Sequence, residues 1–229
     1  MKLLFTVLRV VVAAAIATAV IGQLAHSANL ANQANPASVG FVVVNFFSFF
    51  TIDSNVASIV VLVAGAALVV RRVSPDPLLF TTVRAAVVTY MVTTGIVYNL
   101  LLRGIALPQG QTLAWSNEIL HVVAPIYLLL DWLFAPGRVS LDGKRLWAIL
   151  AFPIVWVAYT LMRGPLTIDA STGANWYPYP FLNPATSANG YLSVTLYVIL
   201  IALVITAIGA GAIRVTRGRR QSRVKSRNA

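Results

Sequence analysis

The chain has 229 residues, of which 59% are hydrophobic and only 10% are charged, yet its formal net charge is +11. Soluble domains carry about a quarter charged residues, so this composition excludes an ordinary soluble protein. The lack of cysteine excludes disulfide bonds, thiolate catalysis and cysteine-ligated metals. The few lysines fall outside the middle of any apolar run, which excludes a retinal-type Schiff base. We expect no cofactor and no metal.

Six apolar runs are each long enough to cross a bilayer, which takes about 20 helical residues. Their apolar character is continuous rather than alternating, so they predict helices and not a membrane β-barrel. The sequence therefore predicts an all-α, polytopic protein with one six-helix domain, 1–213, and a basic tail, 214–229, that we expect to be disordered. The predicted spans are 3–26, 44–70, 79–102, 115–134, 146–163 and 190–213.

The first span has two interpretations. Lys2, the apolar run behind it and the small residues Ala25–Ala28 are typical of a signal peptide. The apolar run continues to about Leu24, however, which is long enough to span a membrane. We therefore expect an uncleaved first helix, and N-terminal sequencing would distinguish the two.

The second apolar stretch, 39–71, is too long for one straight span. As a helix it would reach about 50 Å, well beyond a hydrocarbon core of about 30 Å. Either the helix projects from the membrane or it breaks near the polar cluster 51–55, whose side chains can cap a new helix.

The distribution of basic residues predicts that both termini lie inside. With that orientation the inner segments hold 15 of the 17 basic residues, and only Arg103 and Arg163 lie outside. Seven basic residues fall in the last 16 positions. Directly after a transmembrane helix, such a tail favours contact with anionic lipid head groups over nucleic acid. We expect an integral protein of the plasma membrane.

The longest loop, 164–189, falls on the predicted outer side. It contains the segment Trp176–Phe181, in which Pro178 and Pro180 forbid a regular helix. Its aromatic side chains suit a membrane interface. The loop is therefore either an interfacial anchor or a lid over an outer cavity.

Among the polar side chains within the spans, Thr51 and His121 form a pair in the predicted outer half of the membrane. Thr51 is roughly 10 Å into the second span and His121 roughly 9 Å into the fourth. Buried polar groups are costly in a bilayer, so a pair at matched depth indicates a site. A hydroxyl and an imidazole are the minimum for nucleophilic acyl chemistry. The ordinary alternatives are a threonine bonded to its own helix and a histidine that packs two helices.

Other polar residues near this depth could support such a pair. Asn117 shares a helix face with His121 and Glu118 lies beside that face, so either could orient the imidazole. An oxyanion hole would come from Asn99, from Tyr98 or from backbone amides at a helix break.

Four further residues are weaker candidates for a site around Thr51 and His121. Asp53 would join it only if the helix breaks near Thr51. Arg103 or Arg163 would either bind a substrate carboxylate or extend to the interface. His26 lies at a different depth from His121, which disfavours a haem held between them.

Four segments together resemble a known family. They are 45–51, an aromatic run that ends at Thr51; 117–125, which contains His121; 131–134; and 177–182. From about Gly40 to Gly211 the chain resembles the androgen-induced-protein-like family of six-span membrane proteins, and most closely its bacterial branch. The resemblance implies a membrane-embedded threonine hydrolase that cleaves fatty-acid esters of hydroxy fatty acids, with Thr51 and His121 as the catalytic pair.

The sequence thus favours a hydrolase of lipid esters with membrane lipids and a lipid-like ester as its partners. A transporter of small solutes would instead line a polar path with the same side chains. A non-enzymatic protein that binds lipid or a membrane partner is the third possibility. Uptake without hydrolysis in proteoliposomes would indicate the transporter.

Overall fold

The computed structural model describes residues 2–105, 111–169 and 172–227, with side chains through 217, and the chain is predominantly helical within these ranges. Within these ranges there is no β-strand. The helices are α1 (Lys2–Ala34), α2 (Val39–Phe46), α3 (Phe50–Val70), α4 (Leu78–Leu102), α5 (Ala114–Phe134), α6 (Arg145–Arg163) and α7 (Tyr191–Arg227).

Six of these helices, all except the short α2, are long and apolar enough to cross a membrane, counting only the described parts of the chain. The prediction of an all-α membrane protein with six spans is therefore confirmed. The predicted span limits agree closely for α4, α5 and α6.

The long apolar stretch does break, just before its polar cluster rather than within it. Helix α2 ends at Phe46 and α3 begins at Phe50. Side chains of α6 hold the chain between them: the Trp156 indole donates to the Ser48 carbonyl at 3.2 Å, and the Ser48 and Tyr159 hydroxyls are 2.9 Å apart. The predicted start of the second span at residue 44 is corrected to Phe50, because these tertiary contacts satisfy backbone groups that a helix break would otherwise leave unpaired.

Helix α4 lies at the centre of the bundle, in contact with α3, α5, α6 and α7. Its core residues Ala85, Val87, Val88 and Met91 are almost fully buried. Helix α1 packs along α3. The carboxyl half of α4 and the amino halves of α3 and α5 meet at one end of the bundle, where Tyr98 contacts His121 and Asn55 contacts Leu120. We call this end of the bundle the site end.

A buried cluster of charges joins the helices near the opposite end. The Asp131 carboxylate accepts hydrogen bonds from Arg9 at 2.9 Å and from Arg84 at 2.6 Å. Arg9 also donates to the Gly65 carbonyl, and Arg84 lies 3.6 Å from Asp76. Asp131 is only 2% exposed, because the two guanidinium groups neutralise it inside the bundle.

The packed domain extends a little beyond residue 213. Buried Thr216 accepts a hydrogen bond from the Leu141 backbone N–H at 3.0 Å, and Arg217 donates to the Leu141 carbonyl at 2.9 Å. Helix α7 itself runs to Arg227. The basic side chains after Arg217 lie outside the described side chains, and the disorder expected for that segment stays a prediction.

Candidate functional site

Thr51 is the second residue of α3, at the site end of the bundle. An N–H in the first turn of a helix has no carbonyl partner within that helix. Here the Thr51 N–H donates to the hydroxyl oxygen of Tyr179 at 3.2 Å, and the Thr51 and Tyr179 hydroxyls are 3.1 Å apart. The backbone and the side chain of Thr51 thus both bind one phenol from the 164–189 loop.

The Thr51 hydroxyl differs from most other hydroxyls on the spans. A membrane-embedded threonine usually bonds to the carbonyl four residues earlier. The structure shows that bond for Thr18, Thr82, Thr89, Thr93, Thr195 and Thr206. The described hydrogen bonds of the Thr51 hydroxyl instead go to Tyr179 alone, so its oxygen is not committed to its own helix.

His121 lies in a π-helical turn of α5, Ile119–Val123. Its Nδ1 is 2.9 Å from the Asn117 carbonyl oxygen. A carbonyl can only accept, so in the neutral ring Nδ1 carries the proton and Nε2 keeps its lone pair. His121 therefore has the tautomer of a general base. Asn117 is one of the two residues predicted to orient the imidazole, and it contacts the ring with its backbone carbonyl and not with its side chain.

The Asn117 side chain binds elsewhere, to the Tyr98 hydroxyl. Tyr98 begins a second π-helical turn, Tyr98–Leu102, and its ring stacks on His121 with the centroids 4.1 Å apart. Turns of this kind are rare and are often found at functional sites. Two of them meet here through one ring contact.

Asn55 ties the helix of Thr51 to the helix of His121. It is fully buried, and its side-chain amide donates to the Thr51 carbonyl at 2.8 Å and to the Leu120 carbonyl at 3.2 Å. One nitrogen atom therefore fixes the backbone of Thr51 against the residue that precedes His121.

An apolar cavity of about 200 Å³ adjoins these residues. Thr51, Tyr98 and Tyr179 line it, together with apolar side chains of α4, α6 and α7. Ile154 and Ala202 line it and are also exposed, which indicates an opening towards lipid between α6 and α7. The cavity suits a hydrocarbon chain.

Thr51 and His121 border this site from two sides without a direct hydrogen bond between them. Thr51 is part of the cavity wall, whereas His121 lies against the Tyr98 ring and does not line the cavity. Among the described hydrogen bonds none joins the two side chains, so proton transfer from Thr51 to His121 needs a rearrangement of the site or an intervening group.

The described residues 175–182 of the predicted outer loop reach into the bundle instead of resting only at its surface. Tyr179 and Leu182 are buried and line the cavity. Arg163, a candidate for binding a substrate carboxylate, donates to the Asn45 side chain at 2.7 Å and lies over the Trp176 ring at 5.0 Å. The contact between Arg163 and Trp176 and the burial of Tyr179 and Leu182 place this part of the loop beside the cavity, and its role as a lid stays a prediction.

The remaining predicted residues lie at the edge of the site. Arg103 forms an ion pair with Glu118 and donates to the Asn99 side chain at 2.7 Å. Asn99 is exposed and donates to the Gly95 carbonyl, so it does not face the cavity as an oxyanion donor. Asp53 lies in the first turn of α3 and is half-buried. None of the described contacts joins Arg103, Glu118 or Asn99 to Thr51. Burial, and to a lesser degree the nearby carboxylate of Asp53, raises the pKa of the Tyr179 phenol, so Asp53 lies close to that hydroxyl.

Two site residues were not predicted individually from the sequence. Tyr179 lies in the Tyr-Pro-Tyr-Pro segment that suggested a lid, and Asn55 is the last polar residue of the 51–55 cluster. The position of Asn55 inside a predicted membrane span is a signal that sequence reasoning could have used, because an amide there needs hydrogen-bond partners. Nothing in the sequence pairs Tyr179 with Thr51.

Within the described residues, no group of three or more His, Asp or Glu side chains could hold a metal ion. No family model, no curated protein and no solved structure matches this chain.

Proposed function

We propose that this chain is a membrane-embedded hydrolase of lipid esters, with Thr51 as the nucleophile and His121 as the general base, as its resemblance to the androgen-induced-protein-like family implies. The observation that carries the proposal is the Thr51 hydroxyl: it is free of its own helix and lines an apolar cavity. The tautomer of His121 and the Asn55 tie between their helices support it.

The reaction follows from these roles. His121 Nε2 removes the Thr51 proton, and the oxygen attacks the ester carbonyl to form an acyl-enzyme. The imidazolium then protonates the leaving alcohol, and the neutral ring activates the water that releases the acid. The Asn117 carbonyl, which accepts from Nδ1–H, keeps the ring in its working tautomer throughout.

The substrate is an ester with at least one long apolar chain. That chain enters from the lipid between α6 and α7, where exposed residues reach the cavity wall. The cavity wall is predominantly apolar, which stabilises hydrocarbon and not a polar solute. Fatty-acid esters of hydroxy fatty acids, the substrates that the resemblance implies, fit this description.

The proposed setting is a bacterial plasma membrane with both termini inside, the site in the outer leaflet and the basic tail on anionic lipid. Buried Arg9 and Arg84 are neutralised by carboxylates, so they say little about orientation. The other basic residues of the inner segments still carry the predicted bias.

A transporter has less support. Its inner half would need polar groups that a solute can reach, and the charged cluster there is buried. Asp131 binds both arginines and is 2% exposed. We therefore propose no transport path.

The test is ester hydrolysis by the purified protein in detergent or nanodiscs. Thr51→Ala and His121→Ala should each lower turnover about 10³-fold or more, because acyl transfer needs both groups. Thr89→Ala is the matched control: it removes a buried hydroxyl that bonds only to its own helix, and it should keep its activity. Hydrolysis unchanged in the first two variants would refute the proposal.

A further inference from the structure

Tyr179 is held at Thr51 by its surroundings. Pro178 and Pro180 flank it and restrict the backbone on both sides. Its ring packs against Phe49 with the centroids 5.6 Å apart, stacks on Phe181 at 5.2 Å and is buried to 9% exposure. A tyrosine this deep in an apolar region needs a partner for its hydroxyl, and the partner here is the proposed nucleophile.

The pattern of donors and acceptors is informative. The Thr51 N–H donates to the Tyr179 oxygen, so the Tyr179 proton is free to point at Thr51 Oγ1. A hydroxyl has one proton and can accept two hydrogen bonds. If the Tyr179 hydroxyl donates to Thr51 Oγ1, the Thr51 proton points away from Tyr179. It is then available to a base such as His121 on α5.

We propose that Tyr179 is a catalytic residue that, together with the Thr51 N–H, donates a hydrogen bond to the oxygen of the substrate carbonyl. This inference rests on the proposed function. The phenol oxygen now lies within hydrogen-bonding distance of both Thr51 N and Thr51 Oγ1, which is where a carbonyl under attack by Thr51 would bring its oxygen. On substrate binding the phenol shifts aside and donates to the oxygen that replaces it.

The step is balanced without any further reactant. The bond from Thr51 Oγ1 to the carbonyl carbon forms, the C=O π pair moves onto the oxygen, and the Thr51 proton passes to His121. The new oxyanion accepts from Tyr179 O–H and from Thr51 N–H, which lies at the positive end of the α3 dipole. Collapse breaks the ester C–O bond, and the proton returns to the leaving alcohol.

Tyr179 keeps its proton under working conditions. Burial, partly offset by the hydrogen bonds to Thr51, raises the pKa of Tyr179 to about 12. The phenol therefore remains a donor at neutral pH. Asn99, one of the side chains predicted for this role, is exposed and donates to the Gly95 carbonyl, and the described hydrogen bond of the Tyr98 hydroxyl joins it to the Asn117 amide and not to Thr51.

The first test is Tyr179→Phe, which removes the hydroxyl and keeps the ring. Loss of one oxyanion donor should lower kcat about 10²- to 10³-fold and leave KM within a few-fold. The control is Tyr197→Phe, which removes the hydroxyl of an exposed tyrosine on α7, keeps the ring contact with Phe181 and should keep its kcat. Wild-type kcat in Tyr179→Phe beside an inactive Thr51→Ala would overturn the role of Tyr179 and leave the hydrolase intact.

The second test does not depend on how well that variant folds. Difluorotyrosine at position 179 keeps the size of the side chain but has a more acidic phenol. A donor must hold its proton, so activity should fall with rising pH at a lower pH than in the natural protein. An unchanged pH profile would refute the donor role. Wild-type turnover in Thr51→Ala would instead refute the proposed function, and this inference with it.

Discussion

Hydrogen bonding at Thr51 separates this residue from the structural hydroxyls of the bundle. Eight other threonines on the spans return their hydroxyl to the helix that carries them, whereas Thr51 binds a side chain from a distant loop. A hydroxyl bonded to its own helix contributes little chemistry, because its proton is already committed. The functional interpretation of Thr51 depends on this difference.

Asn55 should contribute to the stability of the folded protein. Asn55→Ala leaves the Thr51 and Leu120 carbonyls without this donor in a buried region, so we expect a loss of about 1–3 kcal/mol in unfolding free energy. Thermal unfolding in detergent measures it. Asn99→Ala is the control. The Asn99 amide is exposed and bonds to Gly95 and Arg103, four residues away on either side, so its loss should change stability far less. Equal stability of the two variants would contradict the role of Asn55.

The candidate pair could be predicted from the sequence, but its partners could not. Polar groups in apolar spans are conspicuous, which singled out Thr51 and His121. Helix periodicity also placed Asn117 beside His121, but it could not show that the backbone carbonyl makes the contact. The link from Thr51 to Tyr179 spans 128 positions, and no local pattern encodes it.

At the scale of the helices, irregular turns shape the site. The chain breaks between α2 and α3, and π-helical turns interrupt α4 and α5 where Tyr98 and His121 meet. Hydropathy predicted the spans because span length follows bilayer thickness. It could not place the break at Ser48, since the contacts that hold it come from Trp156 and Tyr159 on α6.

The charged cluster should act as a structural tie between α1, α4 and α5. Asp131→Ala leaves two buried guanidinium groups without their shared partner, and we expect a loss of about 3–5 kcal/mol. Asp142→Asn, at an exposed carboxylate, is the control. Replacing Arg9, Arg84 and Asp131 by Met, Met and Leu, together with Asp76→Asn at the second carboxylate beside Arg84, should restore much of the stability, because no unpaired charge remains in the cluster. A combined variant as unstable as Asp131→Ala would contradict this explanation.

At the scale of the whole molecule, six apolar helices establish a membrane protein, and the charge bias predicts its orientation. The chain has no cysteine, so single introduced cysteines report topology without background. In intact bacterial cells, a membrane-impermeant maleimide should label Thr172→Cys directly and Ser140→Cys only after permeabilisation. Both native residues are exposed, on loops at opposite ends of the bundle. The reverse labelling pattern would contradict the predicted orientation and the outer-leaflet site.

The central claim is that Thr51 is an activated nucleophile served by His121. Reaction of the purified protein with a long-chain fluorophosphonate, followed by intact-mass analysis and peptide mapping, tests it most directly. We expect a single phosphonyl group on Thr51, absent from Thr51→Ala and His121→Ala and retained in Thr89→Ala. A folded protein that takes up no probe, or takes it up equally after Thr51→Ala, would contradict the account.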